Sequence, residues 1–166
     1  MEVSSAKAPG SPTAAMVTAQ TVIDEGFMQR ALILGERARG RTGDNPHVGS
    51  VIVSAGRAIG EGWTSEPGCH HAEVNAVLAA ESAGRSVSGA TLYATLEPCC
   101  FVGRTPACSS LLIAKGIARV VFGIRDPHPR VNGRGAEQLR EAGIEVSEGV
   151  CEAEVTASLR GWQTSF

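Results

Sequence analysis

The sequence predicts an α/β domain with three layers, α/β/α, around a mixed sheet of about five strands. Three observations carry that expectation. Apolar residues recur at helical spacing in several segments, as at Phe27, Ala31, Leu34 and Ala38. Short β-branched runs lie between them, such as "SVIVSAG", "ATLYATL" and "ARVVFGI". The second half alternates strand and helix, which favours parallel neighbours joined by crossovers.

The elements follow in order. Met1 to about Gln20 is rich in Ala, Ser, Pro and Thr and reads as a disordered tail, with the domain over 21–166. Scarce basic residues count against the rival reading, a cleaved targeting peptide. The first helix is expected over Asp24–Arg39, with Asp24 as cap. "RTGDNPHVG" is a loop. Two strands, "SVIVSAG" and "AIGEGWT", form an antiparallel hairpin about Ala55-Gly56. A second helix is expected from His71 to about Ala83, with Val74, Val77, Leu78 and Glu81 at i, i+3, i+4, i+7 spacing. "ATLYATL" is a strand, and a third helix spans Thr105–Lys115 and stops at Gly116. "ARVVFGI" is near-continuously apolar, the pattern of a strand covered on both faces. After the Pro/Gly loop "RDPHPRVNGRG" come a short helix over Ala136–Ala142, the strand "IEVSEG" and a last helix within 147–166.

Composition narrows the function. A chain of 166 residues is one domain of ordinary size, and a net charge of −2 leaves no electrostatic footprint for a long polyanion. Two Trp, one Tyr and four Phe are too few for a base-stacking platform, which disfavours nucleic acid as a partner. No apolar run approaches the roughly 20 residues that would span a bilayer. Five cysteines, two of them adjacent, do not read as a disulfide framework, so a reducing cytoplasm is the expected compartment.

The chemistry concentrates in "HAE" at 71–73 and "EPCCFVGRTPAC" at 97–108. His71 opens the second helix, Cys99 follows a strand, and Cys108 falls near the start of the third helix. A helix N-terminus is electropositive and favours thiolate. If both helices start at one edge of the sheet, one His and two Cys converge as a zinc site that keeps its fourth position for water. Glu73 is the carboxylate beside them. Residues 71 and 73 point to nearly opposite sides in mid-helix, but in the first turn both can lean toward a site above the helix end. Such a carboxylate moves protons rather than binding metal. Each residue alone has a plainer reading: a buried thiol, a satisfied histidine, a carboxylate on the helix dipole.

His-x-Glu followed by Pro-Cys and a second Cys is the signature of zinc nucleobase deaminases. Here eight residues separate the cysteines. With "NPHVGSVIV", "GEGW", "HAEVNA", "GATLYATLEPC", "GRTPAC", "DPHPRVNGRG" and "LREAGIEVSEGV", the chain from about Phe27 to Val150 resembles the deaminase domain of the bifunctional riboflavin-biosynthesis deaminase/reductase. The resemblance implies a cytidine deaminase-like fold and one zinc ion per chain, held by His71, Cys99 and Cys108, with Glu73 as proton shuttle. It also implies hydrolysis of an exocyclic amine on a diaminopyrimidinone ribosylamine phosphate. Asn45 is then a contact to the ring edge, Arg104 a phosphate contact, and Asp126 and His128 residues that face the ribose phosphate. A homo-oligomer, dimer or tetramer, follows by analogy, and a separate reductase is a further expected pathway partner.

Several positions depart from that family's pattern. Cys100-Phe101 replaces Ser-His, Thr64 replaces His after the aromatic, His128 replaces Asn, and Ala107 replaces Pro. Thr64, Phe101 and His128 are expected to face substrate, so a relative acting on another small nitrogen heterocycle is the alternative. A catalytically silent, zinc-stabilised interaction module is a reading of another class, and the intact Glu73 speaks against it.

Overall fold

The computed structural model describes residues 14–163. Ten elements follow one another: α1 (Ala14–Glu36), β1 (Gly49–Ser54), β2 (Arg57–Trp63), α2 (Ala72–Ser82), β3 (Thr91–Leu96), α3 (Cys108–Ala114), β4 (Arg119–Ile124), α4 (Arg134–Glu141), β5 (Glu145–Glu148) and α5 (Glu152–Gln163). The predicted elements are all present, with shifted ends. The largest shift is in α1, which starts at Ala14 rather than Asp24. The segment "AAMVTAQTVIDE" holds no Gly or Pro to stop a helix. Residues 14–20 of the expected tail are therefore helical, and residues 1–13 lie outside the described residues.

The sheet order is β2-β1-β3-β4-β5. β1 pairs antiparallel with both β2 and β3, whereas β3, β4 and β5 run parallel. The hairpin turns at Ala55 and Gly56, with φ of 49° and 74°. Positive φ at both positions matches the twist of the flanking strands. Parallel neighbours need a long connection, which α3 and α4 supply.

Strand alternation divides the core into two layers. Ile52, Leu92, Ala94, Val120 and Phe122 face α2, α3 and α4, with Ala76, Leu112 and Leu139 completing that side. Val51, Val53, Tyr93 and Val121 face α1 and α5, where Met28, Ala31, Val155 and Leu159 meet them. The expected three-layer α/β/α arrangement is the one observed.

The buried face of α2 differs from the predicted stripe. Ala72, Glu73, Ala76, Val77 and Ala80 are buried, whereas Leu78 is 42% exposed. Small residues win because α2 lies directly on the β2 backbone at Gly60 and Gly62. A Cβ at Gly62 would fall 2.5 Å from the Ala76 nitrogen and 2.8 Å from the Asn75 Cβ. Close approach, rather than side-chain bulk, decides which side faces in.

Candidate active site

The metal-ligand types meet where β3 and β4 end and α2 and α3 begin. His71 is the N-cap of α2, with φ −71° and ψ 166°. Its extended backbone takes the imidazole out of the helical screw, and Glu73 occupies the first turn. The angular conflict between positions 71 and 73 is thereby removed. Cys108 is the first residue of α3, and Cys99 lies three residues past β3. The His71 Nδ1 stands 3.7 Å from the Cys99 Sγ and 3.4 Å from the Cys108 Sγ. All three ligand atoms lie within 4.8 Å of one another.

These spacings fit zinc. Zn–N near 2.0–2.1 Å and Zn–S near 2.3 Å put tetrahedral ligands about 3.6 Å apart. Among the described residues no fourth His, Cys, Asp or Glu joins this trio. Cys100 turns away, donating its S–H to the Arg130 carbonyl at 3.4 Å.

The outer contacts fix the ligands. The second imidazole nitrogen, Nε2, faces the Thr105 hydroxyl at 3.3 Å, which leaves Nδ1 toward the sulfurs. The Cys99 sulfur accepts the Cys108 backbone N–H at 3.2 Å. The Cys108 thiol beside it is the main reason that the Cys99 thiol falls to about 4. Cys108 itself is pushed up, because Cys99 takes the charge and burial disfavours a second one. The imidazole of His71 is raised mainly by its own contact to Cys99.

Glu73 is 4% exposed. Its Oε2 accepts from the Cys108 S–H at 3.6 Å, so the carboxylate borders the trio without joining it. Burial pushes it up to about 7, so the environment does not treat it as a solvated helix-end charge.

A cleft of about 260 Å3 opens onto this cluster. Asn45, Thr64, Phe101, Asp126 and His128 all line it. Thr42 grips the Asn45 backbone, its hydroxyl donating to the Asn45 carbonyl at 2.6 Å. Thr64 faces the cleft but spends its hydroxyl on the protein, donating to the Pro46 carbonyl at 3.0 Å and accepting the Val48 N–H at 2.9 Å. Phe101 stacks on His128 with ring centroids 5.4 Å apart and lies 4.2 Å from the Arg130 guanidinium. Asp126 is raised to about 6, mainly by burial.

Arg104 is placed apart from Asp126 and His128. It lines an adjoining lobe of about 270 Å3 with Cys69, Gly103 and Thr105. The two lobes share Asn45, His71, Cys99 and Phe101.

Among the lining residues that escaped the sequence reading, three are acidic or aromatic. Asp44 adjoins Asn45. Glu97 is 2% exposed and accepts backbone N–H bonds from Asp126 at 3.1 Å, Gly133 at 2.9 Å and Ala136 at 3.0 Å. It ties the end of β3 to the loop carrying Asp126 and His128. Trp162 reaches the cleft from α5. The one sequence signal for Glu97 is a carboxylate directly after an apolar strand; Trp162 had none.

Comparison with known proteins fits this geometry. Residues 21–124 match the cytidine and deoxycytidylate deaminase zinc-binding region. The riboflavin biosynthesis protein RibD of Actinobacillus pleuropneumoniae is 50% identical over 138 residues, 83% of this chain and 36% of that protein. That of Escherichia coli strain K12 is 48% identical over 139 residues, 84% of this chain and 37% of the relative. A crystal structure of a diaminohydroxyphosphoribosylaminopyrimidine deaminase/5-amino-6-(5-phosphoribosylamino)uracil reductase from Thermotoga maritima gives a TM-score of 0.83 at 45% identity, covering 87% of this chain and 41% of that one. The chain thus spans well under half the length of these relatives. The match takes in His71, Glu73, Cys99 and Cys108 with strands β1 to β4, and the chain belongs to the cytidine and deoxycytidylate deaminase family, whose fold it has.

Proposed function

We propose that this chain is a zinc-dependent hydrolytic deaminase acting on the diaminopyrimidine nucleotide of riboflavin biosynthesis. The observation that carries the reading is the buried Glu73 carboxylate beside a trio of ligands that no fourth His, Cys, Asp or Glu joins among the described residues, in the wall of an open cleft. A silent module would gain nothing from a carboxylate buried there. The names of the RibD relatives favour this substrate over another heterocycle.

His71 Nδ1, Cys99 Sγ and Cys108 Sγ would hold the zinc ion. When bound, it would supply Lewis acidity that makes water a nucleophile near neutral pH. Glu73 takes a proton from the attacking water as its oxygen bonds to the ring carbon bearing the amine. It then returns that proton to the departing nitrogen as the C–N bond breaks. Water and the aminopyrimidine become the pyrimidinone and ammonia. Asn45 is suited to hold the ring edge, because its side-chain amide makes no hydrogen bond to the described protein. The phosphate belongs in the Arg104 lobe, where a guanidinium can bind it. The Asp126 carboxylate makes the other lobe the poorer place for an anion.

The test is ammonia release from diaminohydroxyphosphoribosylaminopyrimidine, with metal analysis alongside. About one zinc per chain is expected. Glu73→Gln should keep its zinc and lose about 10²- to 10⁴-fold in kcat. A folded protein without zinc, or a Glu73→Gln variant at wild-type rate, would sink the mechanism. Turnover of other heterocycles but not of this one would sink the substrate assignment. A homo-oligomer rests on family analogy, and sedimentation decides it.

A further inference from the structure

Thr64 follows β2 directly and is 6% exposed, a buried polar residue in the cleft wall. Its backbone N–H donates to the Val48 carbonyl at 3.0 Å, one step past the Gly49–Trp63 pair, so the hairpin ladder runs on to it. Its hydroxyl then accepts the Val48 N–H at 2.9 Å and donates to the Pro46 carbonyl at 3.0 Å. A hydroxyl has a single proton, so Thr64 has no donor left for a ring edge.

The segment that Thr64 grips carries Asn45. From the other side, the Thr42 hydroxyl donates to the Asn45 carbonyl at 2.6 Å, and the Asn45 N–H donates to the Thr42 carbonyl at 3.1 Å. Pro46 narrows the choice further, because a residue before proline avoids the helical region. The backbone on both sides of Asn45 is thereby held, while its side chain lines both lobes of the cleft. An amide placed before any ligand arrives binds at a lower ordering cost. We propose that Thr64 is a positioning residue for the substrate ring: its hydroxyl, held between Pro46 and Val48, fixes the loop from which the Asn45 amide meets the ring edge. Thr64 acts through Asn45 rather than by a hydrogen bond of its own to the ring. This rests on the deaminase reading above.

The experiment measures ammonia release from diaminohydroxyphosphoribosylaminopyrimidine by the zinc-loaded full chain. Thr64→Val keeps the shape and removes the hydroxyl, whereas Thr64→Ser keeps the hydroxyl. KM should rise about three- to tenfold in Thr64→Val while kcat changes little, and Ser should restore it. A merely structural role would lower the melting temperature and leave the KM of the folded fraction where it was. Asn45→Ala should raise KM as well, and Asn45→Ala/Thr64→Val should raise it no further, because both act through one contact. An unchanged KM in Thr64→Val, a Ser variant no better than Val, or additive effects in the double variant overturns the proposal. If Thr64→Val does not fold, amide exchange in the wild type decides. The Val48 N–H should be protected in the free protein, and adding the nucleotide should change it little. Exchange at the rate of an unstructured chain before the nucleotide is added overturns the proposal. Wild type that neither binds nor turns over the nucleotide fells the deaminase reading and this inference together. Wild-type turnover with a Thr64→Val KM equal to that of wild type fells this inference alone.

Discussion

The Oε1 of Glu97 accepts the backbone N–H of Ala136 at 3.0 Å, thirty-nine residues along the chain, and so caps α4 from the end of β3. The other oxygen takes the N–H groups of Asp126 and Gly133. One buried carboxylate thus satisfies three donors, two in the loop and one in the first turn of α4. Glu97→Gln keeps the shape but turns an NH2 group toward at least one of them. Stability should fall by about 1–3 kcal/mol, read as a shift in urea midpoint at unchanged slope. A midpoint equal to wild type would mean that the carboxylate is not holding this loop.

Gly62 should not tolerate a side chain. A Cβ there would clash with the Ala72 carbonyl and the Ala76 nitrogen, both backbone atoms that cannot rotate away. Gly62→Ala must push α2 off the sheet, and about 1–3 kcal/mol of stability should go with it. Because α2 carries His71 at its cap and Glu73 in its first turn, kcat/KM should fall as well. A thermal melt with ammonia assays checks both, and Gly84→Ala is no control, since its φ of 73° brings its own strain.

The same contact explains what the sequence could and could not tell. The hairpin was legible because alternation and Ala55-Gly56 are local. The metal trio was legible because few physical demands other than metal binding join a His, two Cys and a carboxylate at those spacings. The inward face of α2 was not. Val74 and Leu78 look like core residues by hydropathy, and only the glycines on a separate strand decide otherwise. Sheet order, the reach of Glu97 to Ala136 and the presence of Trp162 in the cleft wall likewise depend on pairings between distant segments. The start of α1 was missed because its first turns carry a composition shared with tails.

Far from the cleft, Asp24 receives two hydrogen bonds from Arg119, both at 2.8 Å, and one from the Tyr93 hydroxyl at 2.8 Å. Burial opposes its charge, but the Arg119, Tyr93 and Gln20 bonds together hold its carboxyl below the usual 3.8. A depressed folded-state pKa means that the stabilisation is complete above the unfolded value and lost as pH falls through the folded one. Asp24→Asn should therefore cost about 3 kcal/mol near neutral pH, since it leaves Arg119 without its main partner. The difference from wild type should shrink only below pH 3.8. Denaturant melts across that range check the sign. A difference that grows on acidification would contradict the assignment.

In the proposed reading, Arg104 separates phosphate recognition from ring recognition. It is exposed in the lobe next to the cleft, whereas Glu73 lines the cleft itself. Arg104→Gln removes a charge that meets the phosphate alone, so KM for the nucleotide should rise about tenfold while kcat holds. Exposure also makes the contact sensitive to screening. The wild-type KM should climb with added salt, and that of the variant should climb less, because the Debye length drops from about 10 Å at 0.1 M to about 3 Å at 1 M. Kinetics at two ionic strengths distinguish this from damage to the fold, which would lower kcat in both. Equal salt dependence in the two proteins would move the phosphate out of the Arg104 lobe.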